Sequence, residues 1–135
     1  MLKGSCLCGA VTYEAEAGDT THFYHCHCRR CRKATGTGHA SNLILVKPLN
    51  GAFTAGEELL TRYKVPDAKR FAVTFCSRCG SRVPSFAADG SVAVVPAGSL
   101  DTDPGMRPQA RIFQGSKADW SCDERAVPGF DTYPE

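Results

Sequence analysis

Seven of the eight cysteines in this chain fall into three short clusters, Cys6 with Cys8, Cys26 with Cys28 and Cys31, and Cys76 with Cys79, leaving Cys122 alone. Two clusters end in glycine, as Cys6-Leu7-Cys8-Gly9 and Cys76-Ser77-Arg78-Cys79-Gly80, and the third sits in a basic stretch. Thiolates this close in sequence can point at a common ion, because a tight turn closes around it and glycine supplies the positive φ that such a turn uses. A disulfide framework is the competing reading of an even cysteine count in a small chain. Against it, neighbours in C-x-C or C-x-x-C rarely staple distant segments, and Met1-Leu2-Lys3-Gly4-Ser5 carries no apolar stretch of a secretory signal. The expectation is metal ligation in a reducing cytoplasm, with zinc as the occupant.

The 135 residues, 42% of them hydrophobic, suffice for one core and not for two independent ones, so residues 1–135 are read as a single domain. No run of about 18 apolar residues is present to cross a membrane as a helix. Lys and Arg number 16 against 14 Asp and Glu, and the net charge of +2 is too small a field to advertise a nucleic-acid partner. Electrostatic recognition must then be local. The densest basic patch is Arg29, Arg30, Arg32 and Lys33, wrapped around Cys28 and Cys31. Such a run is ordinarily a solvated face, but its place beside thiols makes it a candidate anion contact.

Strand patterns dominate. Ala10–Glu16 alternates apolar with polar residues, Thr21–Cys26 is rich in strand formers, and the Gly18-Asp19 turn signal between them suggests a hairpin. Further strands are expected at Ala40–Val46, Leu59–Val65, Arg70–Phe75, Arg82–Phe86, Val92–Pro96 and Ala110–Phe113, separated by turn clusters such as Lys47-Pro48-Leu49-Asn50-Gly51. One short helix, about Arg29 to Thr35, should end at Gly36 as a left-handed cap. Many short strands with frequent turns indicate a mainly β fold, an open sandwich or barrel of antiparallel strands. The tail from Pro128 to Glu135 is read as an extended segment lying on the body, and Trp120 and Phe130 as core residues before pocket walls.

Cys8-Gly9 precedes the strand at Ala10, and Cys76 to Gly80 form a turn between strands, so both read as zinc knuckles at strand ends. Each offers two ligands, which makes Cys6, Cys8, Cys76 and Cys79 the natural set for one four-thiolate site of structural character. The middle cluster differs. On a strand Cys26 and Cys28 share a face, and Cys31 follows Cys28 at the i+3 spacing that brings side chains together on a helical turn. Three protein ligands leave a tetrahedral position for water or substrate, as in catalytic zinc sites. Cys122, His39 or His27 could instead complete the set and make a second structural site. An isolated cysteine is more often a buried or free thiol, and His25, His27 and His39 read first as structural histidines bonded to backbone groups.

In Gly4-Ser5-Cys6-Leu7-Cys8-Gly9-Ala10-Val11-Thr12-Tyr13, Cys26-His27-Cys28-Arg29-Arg30-Cys31-Arg32 and Phe75-Cys76-Ser77-Arg78-Cys79-Gly80-Ser81, the chain resembles the glutathione-dependent formaldehyde-activating enzyme (GFA) family, also called the centromere protein V domain. Weaker matches follow at Gly115–Trp120 and Phe130–Pro134. The resemblance implies an Mss4-like β fold and two zinc ions per chain, a structural one on Cys6, Cys8, Cys76 and Cys79 and a catalytic one on Cys26, Cys28 and Cys31. It also implies glutathione as co-substrate and a carbon-sulfur lyase activity that joins glutathione to formaldehyde. Two features depart from the family's pattern: Arg82-Val83-Pro84 follows the second knuckle where apolar residues are usual, and Cys122 is an extra thiol.

A thiol held by a metal loses its proton near neutral pH and becomes a ready nucleophile. Glutathione carries two carboxylates, and arginine forks match carboxylate geometry, so Arg29, Arg30 and Arg32 are the expected contacts. The expected partners are thus a small-molecule thiol and carbonyl, with no nucleic acid and no membrane, and with homo-oligomerisation left open. A non-catalytic zinc-binding module that binds thiols or another protein is the alternative from a different class.

Overall fold

In β2 (Thr12–Glu16) Tyr13 and Ala15 are buried while their neighbours are not, the period-two pattern of a strand with one face on a core. The same pattern buries Leu43 and Leu45 in β4 (Ala40–Val46) and Ala93 and Val95 in β10 (Val92–Pro96). These residues and Phe23 of β3 (Thr20–Cys26) form the main hydrophobic cluster. Leu43 and Leu45 are fully buried, and each contributes roughly 1.5–3 kcal/mol. The Tyr13 hydroxyl reaches Ser99 Oγ at 2.6 Å, which satisfies its one polar group in the core. This is a computed structural model, and it describes residues 1–121 and 124–134; Cys122, Asp123 and Glu135 lie outside the described residues.

Three sheets follow. β1 (Leu2–Ser5), β2 and β5 (Asn50–Ala55) form the first, in the order β1-β2-β5. Between them and the next strands come α1 (Arg29–Thr35) and, after β5, β6 (Leu60–Lys64), β7 (Ala72–Cys76), β8 (Arg82–Val83) and β9 (Ser85–Phe86). β11 (Ala110–Ile112) closes the series. The second sheet runs β11-β3-β4-β10-β9 and the third β6-β7-β8. The architecture is mainly β, sandwich-like and not a closed barrel, with one α-helix among the described residues. Among the described residues the strand pairs are antiparallel except β11 with β3, which run parallel with Ile112 opposite Cys26.

Several details depart from the sequence reading. β2 and β3 do not form a hairpin: β2 lies between β1 and β5, and β3 between β11 and β4. Tyr13 and Phe23 meet across the core from different sheets, so the chain at Gly18 crosses between layers, where a Cβ would overlap the Lys47 carbonyl. β5 occupies part of the expected turn at Lys47–Gly51; its mostly exposed Asn-Gly-Ala-Phe-Thr-Ala lacks alternation and is fixed by pairing with β2. The expected strand at Arg82–Phe86 splits at Pro84, which has no N–H for a ladder, into β8 on β7 and β9 on β10. Trp120 and Phe130 are 69% and 56% exposed and belong to no core cluster. Residues 128–134 form neither helix nor strand and are exposed throughout.

Candidate metal centres and the cavity beside them

The first knuckle is a turn between β1 and β2. The Cys6 amide donates to the Val11 carbonyl at 3.0 Å, the Gly9 amide donates to the Cys6 carbonyl at 3.0 Å, and Gly9 takes φ 80°. The second repeats this after β7: the Gly80 amide donates to the Cys76 carbonyl at 2.7 Å, with Gly80 at φ 75°. Ser81 links the two, its Oγ accepting from the Leu7 amide at 2.9 Å and lying 3.3 Å from Cys79 Sγ. The fold thereby gathers the sulfurs of Cys6, Cys8, Cys76 and Cys79 within 4.8 Å of one another. Cys6 and Cys8 sulfurs are 3.6 Å apart, and Cys8 and Cys76 sulfurs 3.9 Å. A tetrahedron of thiolates with bonds of about 2.3 Å has edges of about 3.8 Å, so this donor set fits a metal ion.

The acid-base chemistry of the cluster agrees with that fit. Hydrogen bonds from Ser81 hold Cys79 down to about 5. The Ala10 amide favours the Cys8 thiolate, but desolvation and the Cys6, Cys79 and Cys76 sulfurs outweigh it and push Cys8 up to about 11. Four sulfurs this close cannot all ionise near neutral pH without a cation among them.

The second cluster sits where β3 ends and α1 begins. Cys26 is the last residue of β3, Cys28 is the N-cap of α1 with its sulfur accepting from the Cys31 amide at 3.3 Å, and Cys31 is in the helix. Gly36 caps the other end in the left-handed conformation at φ 70°, donating to the Arg32 carbonyl at 2.8 Å. The three sulfurs lie within 4.8 Å of one another, and among the described residues no fourth Cys, His, Asp or Glu joins them. Burial raises Cys26 and Cys31, with the neighbouring sulfurs raising Cys31 further; Cys28 is lowered because the Cys31 amide and the Cys31 and Cys26 thiols outweigh its burial. This donor set also suits a cation, which three ionised sulfurs require. Cys122 lies outside the described residues.

Three histidine rings lie tilted against one another beside this cluster without entering it. His39 lies 4.2 Å from His25 and 5.0 Å from His27, centroid to centroid. His25 Nδ1 is 2.9 Å from Ser41 Oγ. His27 is buried and its Nδ1 bonds to no protein atom. Burial, and then the charges of His39, Arg111 and Lys117, lower the His27 pKa.

The basic residues divide by exposure. Arg29, Arg30 and Lys33 are exposed, and Arg30 reaches Asp67 at 3.7 Å. Arg32 is half-buried with an unpartnered Nε. Arg82, which the sequence reading treats only as a departure from a family pattern, also has a buried Nε without a partner. It lines a cavity of about 400 Å³ formed by the end of α1, the start of β4, the second knuckle and the turn at Pro96–Gly98. Ala40 joins cavity to cluster, since it lines the former and packs on Cys26 and Cys31.

Fold and site together define a small, mainly β protein with two cysteine clusters that could each hold a metal ion. The chain belongs to the glutathione-dependent formaldehyde-activating enzyme family, whose model matches residues 1–116. It is 31% identical over 130 residues, 89% of this chain and 79% of the relative, to a Halomonas elongata protein named "Putative glutathione-dependent formaldehyde-activating enzyme". The crystal structure of a Rhodobacter sphaeroides protein shares the fold, with a TM-score of 0.56 and 25% identity over 78% of this chain and 97% of that one. No helix among the described residues is long and apolar enough to cross a membrane.

Proposed function

We propose that this protein is a zinc-dependent carbon-sulfur lyase that joins glutathione, or a similar small thiol, to formaldehyde or a related carbonyl. Cys6, Cys8, Cys76 and Cys79 hold a structural zinc, and Cys26, Cys28 and Cys31 hold the catalytic one. The observation that carries this reading is the three-sulfur cluster with no fourth ligand among the described residues, separated from a cavity by the buried Ala40 that packs on it. Family membership supplies the reactants. None of the seven described cysteines is in a disulfide, so their sulfurs are available as ligands.

Zinc at the three-sulfur site would supply Lewis acidity, which lowers the pKa of an incoming thiol. In the reaction the thiol sulfur forms a bond to the carbonyl carbon, the C=O π pair moves to oxygen, and the proton lost by the thiol ends on that oxygen, giving S-(hydroxymethyl)glutathione. The protein's part is chiefly placement. Cys28 and Cys31 are held by the first turn of α1, and Cys26 by the β3–β4 ladder through its pairing with Ala40. Thr35, Ser41 and His39 line the cavity, and their hydroxyls and ring are the polar groups that would hand a proton to a carbonyl oxygen bound there.

The test is exchange of ¹³C-formaldehyde with S-(hydroxymethyl)glutathione, followed by NMR at enzyme concentrations above the uncatalysed background. Catalysed exchange lost in Cys28→Ser, with the fold retained, is the expected result. Saturable glutathione binding without acceleration would instead identify a thiol-binding module, and no binding would end the reading.

A further inference from the structure

The cavity that Ala40 separates from the three-sulfur cluster is lined by a half-buried arginine, Arg82, whose Nε the fold leaves without a partner. Arg82 precedes Val83 in β8, and Val83 is 1% exposed in the core. Alternation therefore sends the Arg82 side chain to the other face, where it lines the cavity with Thr35, His39, Ser41, Asn42 and Ser81. Its Nε is buried and bonds to no protein atom, and among the described residues no carboxylate lies within ion-pair distance of it. A guanidinium stays charged in such a place, and a buried cation is stable only when an anion or hydrogen-bond acceptors meet it. Burial works against the Arg82 cation and the Cys31 sulfur works for it, so the residue lies within the electrostatic reach of the cluster.

The rest of the lining suits an anion as well. Its polar groups are hydroxyls, an amide and an imidazole, and no acidic side chain lines it. A volume of about 400 Å³ falls in the range of small-molecule sites, roughly 300–1,000 Å³. Arg29 and Arg30 offer no comparable setting, being exposed on the outer side of α1 with Arg30 already engaged by Asp67.

We infer that Arg82 binds a carboxylate of the substrate, so that the cavity selects thiols carrying an acid group and presents their sulfur toward Cys26, Cys28 and Cys31. This rests on the proposed function and narrows its substrate class to anionic thiols. Recognition comes from the guanidinium fork, which forms paired, charge-assisted hydrogen bonds that an ester cannot accept equally.

The test separates carboxylate binding from thiol chemistry by using S-methylglutathione, whose sulfur has no proton to lose, and its diethyl ester. Both are titrated calorimetrically into the full chain, into Arg82→Leu and into Arg82→Lys, with zinc content and melting temperature measured for each protein. The acid should bind the wild type about 10- to 100-fold more tightly than the ester, the range expected of hydrogen bonds to a charged group. That preference should fall to about twofold or less in Arg82→Leu and recover in part in Arg82→Lys. Equal binding of acid and ester by the wild type, no binding of either, or a preference surviving in both variants overturns the inference. Should neither variant fold, the wild-type comparison decides alone. Absent formaldehyde exchange with the acid preference intact sinks the proposed reaction and leaves the carboxylate site standing; the opposite pattern does the reverse.

Discussion

Removing one sulfur from each cluster should cost the fold different amounts. Cys76 is 0% and Cys31 5% exposed, so serine at either position replaces a comparably buried sulfur. The clusters differ in the chain they tie together. Cys8 and Cys76 lie 68 positions apart, whereas Cys26, Cys28 and Cys31 are neighbours on a strand end and one helical turn. Treating each occupied cluster as a cross-link, the chain-entropy expression gives about 4 kcal/mol for the long loop and about 2 kcal/mol for the short one. Cys76→Ser should thus lose about 2 kcal/mol more than Cys31→Ser, or roughly 6–10 °C in melting temperature for a chain of this length. Urea unfolding followed by circular dichroism, with metal content measured on the same samples, reads the difference. Equal losses, or a larger loss in Cys31→Ser, would refute the division of the clusters into a long-range clip and a local site.

Other outcomes follow from single residues. Tyr13 is buried, and desolvation raises its pKa, opposed by the Ser99 hydrogen bond and aided by Asp101. The folded chain therefore retains a proton that the unfolded chain releases near pH 10, so stability declines as pH rises past about 10 and Tyr13→Phe removes that part of the decline; parallel wild-type and variant curves would contradict this. Gly56→Ala places a Cβ against the Ala10 backbone at φ 79° and should cost more than Gly36→Ala, which has open space at φ 70°. The latter should lose only the left-handed strain of about 1–2 kcal/mol, and equal losses in denaturant unfolding would argue against the close approach. Arg30→Ala should change stability by less than about 0.5 kcal/mol and leave glutathione affinity unchanged, because Arg30 and Asp67 form an exposed pair; a large drop in calorimetric affinity would show that Arg30 contacts the thiol's carboxylate.

Local signals were readable in the sequence where one short-range pattern decides the outcome. β4 and β10 occupy the residues their apolar runs indicate, and α1 ends at Gly36, where a left-handed cap is needed. The knuckles were equally plain, since close cysteines and a following glycine define the turn without help from elsewhere. Tertiary effects were not readable. Gly18-Asp19 looks like a hairpin turn until Lys47 is seen packed against Gly18. β1 and β5 carry little alternation of their own and exist through pairing with β2. Arg29 and Arg30 stand out in the sequence as a charge run and are exposed, whereas nothing local in the sequence shows that Arg82 of β8 lines a cavity with the end of α1. Trp120 and Phe130 show that aromatic character does not decide burial.

The proposed chemistry requires one zinc that keeps a coordination position for a visiting thiol while the other is fully held by the protein. X-ray absorption at the zinc edge tests this most directly, on protein carrying two zincs per chain. Without thiol the average should be about 3.5 sulfurs per zinc, four from one cluster and three from the other, rising to about 4 with saturating glutathione. An average of about 4 before any thiol is added, or no rise at saturation, would contradict it.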